Sequence, residues 1–220
     1  MSFFKKIFNK SNKKLPRRLS SVNDLNKGDI IVLTDSFGLP ESLRKQEFQI
    51  STVNSYEYET FTQTEWALTG TKNSEIFLSL EVDDTLYLKF SLKISHEDIE
   101  HLFDLEQFST IFDNSSENDN TGQGFLTRQA DTELSNQWSS PEYRQSIYAK
   151  VGYFHRKDHR SESLSPYQDK ESGEQFKLYQ LLDKEEDRAI EVEVWEDGDT
   201  DVFLCLYRPL TDIVDMYPGS

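Results

Sequence analysis

Two stretches of this chain carry one pattern, and that pattern narrows the possible folds more than any other feature. Residues 73–103 read NSEIFLSLEVDDTLYLKFSLKISHEDIEHLF, and residues 187–217 read DRAIEVEVWEDGDTDVFLCLYRPLTDIVDMY. In each, apolar and polar residues alternate, an acidic turn follows, a second apolar strand returns, and a short segment around Asp-Ile ends on an aromatic. Successive side chains of a strand point to opposite faces, so Ile76, Leu78, Leu80 and Val82 mark one buried face. Ile190, Val192 and Val194 align with Ile76, Leu78 and Leu80 at an offset of 114, and Val202, Leu204 and Leu206 with Leu86, Leu88 and Phe90 at 116. The two extra residues fall in the turn, where a hairpin tolerates insertion. Ile213, Met216 and Tyr217 then match Ile99, Leu102 and Phe103, again at 114. The expected fold is mainly β (α+β): antiparallel sheets with short helices, in two pseudo-symmetric β-rich halves from an internal repeat.

Further strands are expected at residues 30–33 after the Gly28-Asp29 turn, from Phe48 to Val53, at 65–68, at 148–154 and at 176–181, with Tyr56–Glu59 as an exposed continuation. Ser95 and Asp98 form a capping-box pair for a helix whose Ile99, Leu102 and Phe103 face the core. The organisation reads as a basic segment (1–18), a first half (19–112), a polar excursion (113–140) and a second half (141–220). Within the excursion, Phe125, Leu126, Leu134 and Trp138 pack down. Only 35% of residues are hydrophobic, so neither half alone holds a sufficient core, and one intertwined core is expected.

Charge separates the ends of the chain. Residues 1–18 carry seven Lys or Arg and no acid; taking that +7 from the net −16 leaves −23 on the remainder. Such a body repels phosphates, which argues against a nucleic-acid partner. In the segment MSFFKKIFNK, Phe3, Phe4, Ile7 and Phe8 fall within one arc of a helix, with Lys5, Lys6 and Lys10 mainly on the other side. These seven are the candidate contacts to an anionic membrane surface, at up to about 1 kcal/mol per basic charge. The alternative is that the segment docks on the protein's own body. No run approaches the ~20 apolar residues of a membrane-spanning helix, and the N-terminus lacks a secretion signal's apolar region. The single cysteine, Cys205, excludes an internal disulfide and fits a reducing compartment.

The motifs that carry chemistry are absent or incomplete. His96 and His101 stand five apart, not the four that puts two imidazoles on one helix face. His155 and His159 have that spacing, but they lie among Arg156, Lys157 and Arg160 in what reads as an exposed loop. The run from Asp197 to Asp201 alternates acids like a calcium loop, yet has Val202 at the sixth position and Arg208 at the twelfth, so it reads as a hairpin turn. The carboxylates Glu185, Glu186, Asp187, Glu191, Glu193 and Glu196 read as an acidic solvent face. No catalytic residue, metal site or cofactor is expected. The candidates for a partner surface are aromatics beside charge: Tyr56, Tyr58, Trp66, Trp195 and Tyr207, with Asp197 and Asp199. Trp195 should project from the face opposite Val192 and Val194, toward a partner or beneath the 113–140 excursion.

Leu25-Asn26-Lys27-Gly28-Asp29, Phe48-Gln49-Ile50, Tyr56-Glu57-Tyr58, Glu65-Trp66-Ala67-Leu68 and the run from Ile76 to Glu81 together resemble a bacterial family catalogued as a domain of unknown function, the DUF 4178 family. The resemblance covers residues 24–103, with a degenerate second copy in 145–217. The opening MSFFKKIF is similar to the start of YjfK-type proteins. Members of both groups are encoded near membrane-stress proteins of the phage-shock type. The resemblance implies a cytoplasmic bacterial protein working at or near the inner membrane, and it supplies no catalytic residues. The expected function is a non-enzymatic binding or scaffold protein of a membrane-associated stress system, whose acidic body binds another protein. The alternative is an enzyme or small-ligand binder with its site in the cleft between the halves.

Overall fold

The computed structural model describes residues 17–70, 74–82, 84–113, 122–161, 167 and 173–219. The membrane-contact candidates Phe3 to Lys10 lie outside them. The chain forms one large antiparallel sheet with a few short helices. Its strands are β1 (Ile30–Leu33), β2 (Glu47–Glu57), β3 (Thr62–Thr69), β4 (Ile76–Val82), β5 (Leu86–Ile94), β6 (Phe125–Thr127), β7 (Glu142–His155), β8 (Glu174–Leu182), β9 (Arg188–Trp195), β10 (Thr200–Pro209) and β11 (Ile213–Tyr217). The helices are α1 (His96–Leu102), α2 (Leu105–Ser109) and α3 (Glu133–Trp138).

The strand order is β11-β1-β2-β3-β4-β5-β10-β9-β8-β7-β6, and β2 also pairs with β7. Two four-strand meanders, β2–β5 and β7–β10, therefore meet twice. β5 runs antiparallel along β10 from Tyr87↔Pro209 to Ile94↔Val202. The C-terminal end of β2 pairs with that of β7 through Ser55↔His155, Tyr56↔Phe154 and Glu57↔Tyr153. The ladder returns to its start, which makes an eight-stranded barrel without free edges in that region.

β2 and β7 each divide one edge between two partners. The first half of β2 pairs with β1, and the first half of β7 pairs with β6. Between those stretches and the closing β2–β7 contact, β2 has an irregularity at residues 50–52 and β7 has others between 145 and 150. A bulge bends its strand and increases twist, which is what a strand leaving one neighbour for another needs. Gly152 sits opposite Phe176 on β8. A β-carbon there would stand 2.5 Å from the Phe176 ring and 3.0 Å from that of Tyr58, so only glycine lets these rings lie over the strand.

The barrel has two unlike faces. Ile76, Leu78, Leu88, Phe90, Ile190, Val192, Leu204 and Leu206 belong to the outer apolar layer. Leu25, Leu39 and Leu43 of the N-terminal loops, Ile99 and Leu102 of α1, Phe108 of α2 and Trp138 of α3 cover that layer. Helix α1 starts as its sequence dictates: the Asp98 amide donates to Ser95 Oγ at 3.2 Å and the Ser95 amide to Asp98 Oδ2 at 2.9 Å.

The hairpins β4–β5 and β9–β10 occupy the third and fourth places of their meanders. The tails that follow differ. Residues 96–102 form α1, whereas Pro209 leads into a single 3-10 turn, after which Ile213-Val214 continues as β11 on the edge of β1. β-branched residues next to an open strand edge favour pairing. Ile213, Met216 and Tyr217 thus lie on a strand, whereas their expected counterparts Ile99 and Leu102 lie on α1 and Phe103 follows its end.

Candidate functional site

The remaining face of every barrel strand points inward, and on it buried charged and amide side chains stand beside apolar clusters around Phe176 and Phe203. Cross-strand registers place Glu65 beside Ser79, Ser79 beside Lys89, Lys89 beside Tyr207, Phe203 beside Glu191, and Glu191 beside Gln180. Glu65, Lys89, Glu191 and Glu193 are only 7%, 8%, 6% and 5% exposed. The expected acidic solvent face on β9 is corrected at Glu191 and Glu193: the sheet curls around this face, so its carboxylates are enclosed.

A charged cluster sits at the centre. Lys89 Nζ donates to Glu191 Oε1 and Oε2 at 3.0 and 2.9 Å and lies 3.1 Å from Glu81 Oε1. Gln180 Nε2 donates to Glu191 Oε1 at 2.9 Å, and Gln63 Nε2 to Glu81 Oε1 at 2.7 Å. Burial opposes charge on Glu191, but the Lys89 ammonium and its hydrogen bonds hold this carboxyl below its usual range. Burial likewise opposes charge on Lys89, and the Glu191 and Glu81 carboxylates overcome it, raising the lysine well above its ordinary value.

Two other carboxyls lack such a partner. Burial raises Glu65 to about 7, against the lowering effects of the Asn54 amide, which donates to it at 3.0 Å, and of Lys89. Burial, followed by the charges of Glu65 and Glu191, pushes Glu193 well above the usual carboxyl range. The Tyr56 phenol lies against both groups. Aromatics fill much of the remaining lumen. Phe176 meets Tyr56 at 5.4 Å and Trp195 at 5.4 Å, and Phe77 meets Phe203 edge-on at 5.9 Å.

The lumen opens at one end into a cavity of about 560 Å³. Tyr58, Phe61, Tyr87 and Tyr207 supply its aromatic wall, Gln63 and Gln180 its amides, and Glu81, Glu185, Glu186, Asp187 and Glu191 its acids. The rim acids are held out by the β8–β9 turn. Buried Asp183 anchors that turn, accepting from the Asp187 and Arg188 amides at 3.1 and 3.2 Å and from the Ser140 hydroxyl at 2.6 Å. Asp187 is paired with Arg188 at 2.9 Å. Lys150 enters the mouth with its ammonium 4.6 Å from the Tyr58 ring centre and 4.7 Å from that of Phe61.

The partner-surface candidates scatter. Tyr58 and Tyr207 line the mouth, Tyr56 lines the lumen beneath it, and Trp195 packs within the lumen against Phe154 and Phe176. Trp66 is completely buried on the outer layer, where its Nε1 donates to the Leu25 carbonyl at 3.0 Å and Arg160 lies over its ring. Burial therefore overturns the surface assignment of Tyr56, Tyr58 and Trp66, and of Tyr56-Glu57-Tyr58 as an exposed continuation. Asp197 and Asp199 are exposed in the β9–β10 turn, where Gly198 takes a φ of 94° and Asp197 Oδ1 accepts from the Asp199 amide. His155, expected in an exposed loop, is the buried last residue of β7, its Nε2 3.0 Å from Glu57 Oε2. Among the described residues no group of three or more His, Cys, Asp or Glu is arranged to hold a metal, and no helix is long and apolar enough to cross a membrane.

Sequence reasoning missed Gln63, Glu65, Glu81, Lys89, Lys150, Gln180, Glu191 and Glu193 as site residues. Their signal was complementary charge in the middle of long strands, Lys89 between Leu88 and Phe90 and Glu191 between Ile190 and Val192. No protein-family model, curated protein or solved structure matches the chain.

Proposed function

We propose that the barrel is a binding protein for a small, positively charged organic molecule, taken up through the mouth of the lumen. The observation that carries this reading is the mouth itself, an open cavity of about 560 Å³ whose acids outnumber Lys89 and Lys150, with aromatic rings between them. An eight-stranded barrel encloses room for one small ligand, and such pockets combine apolar walls with a few placed polar groups. Lys150 supports the choice of cation, because its ammonium already occupies the faces of Tyr58 and Phe61. The test is calorimetric titration with aliphatic and aromatic amines alongside their carboxylate counterparts. Amines should bind, and Phe61→Ala or Glu186→Gln should weaken them about threefold to tenfold. Binding of the carboxylates in place of the amines would overturn the reading.

The position of the two hairpins within the meanders supports a duplication behind the barrel, and membership of the DUF 4178 family is proposed on the sequence resemblance. A scaffold role at a membrane rests on residues 1–18 and the acidic turn at Asp197 and Asp199. Equal co-sedimentation of the full chain and a chain lacking residues 1–15 with anionic liposomes would dismiss the lipid contact.

A further inference from the structure

Below the mouth the lumen narrows to a chamber of about 20 Å³. The two spaces share Tyr58, Gln63, Lys89 and Glu191 as walls, so they adjoin at the charged cluster. The chamber is also lined by Tyr56, Glu65, Phe77, Ser79, Ser91 and Glu193. Its size admits one water-sized group. Glu193 is 5% exposed, and its Oε2 atom has no hydrogen-bond partner among the described residues. Buried polar atoms are nearly always satisfied, and a carboxyl oxygen left over inside a polar cavity calls for a partner that enters it.

Resting on the binding reading above, we propose that this chamber is the subsite for a terminal primary ammonium, so that the ligand is an unbranched aliphatic amine with an unsubstituted –NH3+ end. A primary ammonium matches a water molecule in size and brings three donors. Glu193 Oε2, the Glu65 carboxyl and the Ser79 or Ser91 hydroxyl are the acceptors that face it. The methylene chain then runs past Tyr58 and Leu178 to the mouth, where a second ammonium meets the rim acids Glu185 and Glu186. A trimethylated ammonium fills the mouth but not the chamber. The groups facing Glu193 are Tyr56 and Tyr58 from β2, Glu65 from β3, Lys89 from β5, Glu191 from its own strand and, directly across the ladder on β10, Asp201, which Lys93 of β5 pairs at 2.7 Å. Lys89 is already committed to Glu191 and Glu81, so entry of the ammonium is balanced by loss of a proton from the Glu65–Glu193 pair, and binding tightens as pH rises through neutrality.

The experiment titrates the full chain with 1,4-diaminobutane and with its fully N-methylated bis-quaternary analogue. The primary diamine should bind at least about tenfold more tightly, and Glu193→Gln should remove about that factor while leaving the analogue unaffected. Ser79→Val, which narrows the chamber without touching a charge, should produce the same selective loss; thermal melts identify any variant that fails to fold. If the diamine binds, Glu186→Gln weakens it, and both chamber variants bind it like the parent, the subsite is wrong and the mouth reading stands. If neither diamine binds, both fall together.

Discussion

Replacing Lys89 by methionine tests whether the polar face is enclosed. The side chain is similar in length and keeps the apolar stem, so the change removes one charge and the bonds it makes. Lys89 holds Glu191 through two contacts near 3 Å and Glu81 at 3.1 Å, with Lys89 and Glu191 both over nine-tenths buried. Removing one partner of a buried pair strands the other charge, at a cost of about 3–5 kcal/mol. With a denaturant slope of about 2–3 kcal/mol per molar for a chain of this size, the urea midpoint should fall by about 1–2.5 M. Trp66, Trp138 and Trp195, all buried or half-buried, report the transition by fluorescence. The pH dependence gives a second signature. In the parent, the folded value of Glu191 lies below its unfolded one, so its contribution is present above the unfolded pKa and is lost as pH falls through the folded value. In Lys89→Met, burial without the ammonium puts the folded value above the unfolded one. The penalty is then full at high pH and is relieved as pH falls, so parent and variant converge in acid. Adding Glu191→Leu should recover most of the loss, since an apolar pair replaces a buried ion pair at little cost. A loss below about 1 kcal/mol in the single variant, the range of an exposed pair, would refute the enclosure of this face.

Other consequences follow from single residues. Glu65, raised to about 7 from an ordinary 4.5, opposes folding increasingly as pH rises between those values, because the unfolded chain ionises first; Glu65→Gln should gain on the parent across that window, levelling near 3 kcal/mol above it in pH-dependent denaturation. Gly152→Val must displace Phe176 or Tyr58 and should cost about 1–3 kcal/mol in thermal melts, with altered aromatic signals in the near-UV. Trp66→Phe leaves the Leu25 carbonyl without its donor in a buried site, for a loss of about 1–3 kcal/mol by chemical denaturation.

Strand positions, the Ser95–Asp98 cap, the turn at Gly198 and the burial of Ile76, Leu78, Ile190 and Val192 were legible because each depends on neighbours within a few residues. Periodicity separates two faces of a strand, and it did so here: Trp195 does lie opposite Val192 and Val194. It does not say which face becomes concave. A polar face with Glu191 and Glu193 usually meets solvent, and nothing local distinguishes that case from this one. The inside was chosen by two long-range events, β5 pairing with β10 and the ends of β2 and β7 closing the ring, while loops and helices covered the apolar side. Lys89 and Glu191 stand 102 residues apart, and only that closure brings their charges to 3 Å. The sequence by itself determined the strands, their alternation and the surplus of acid; the tertiary structure decided that the acid lines a lumen, because curvature is a property of the whole ladder and of no one strand.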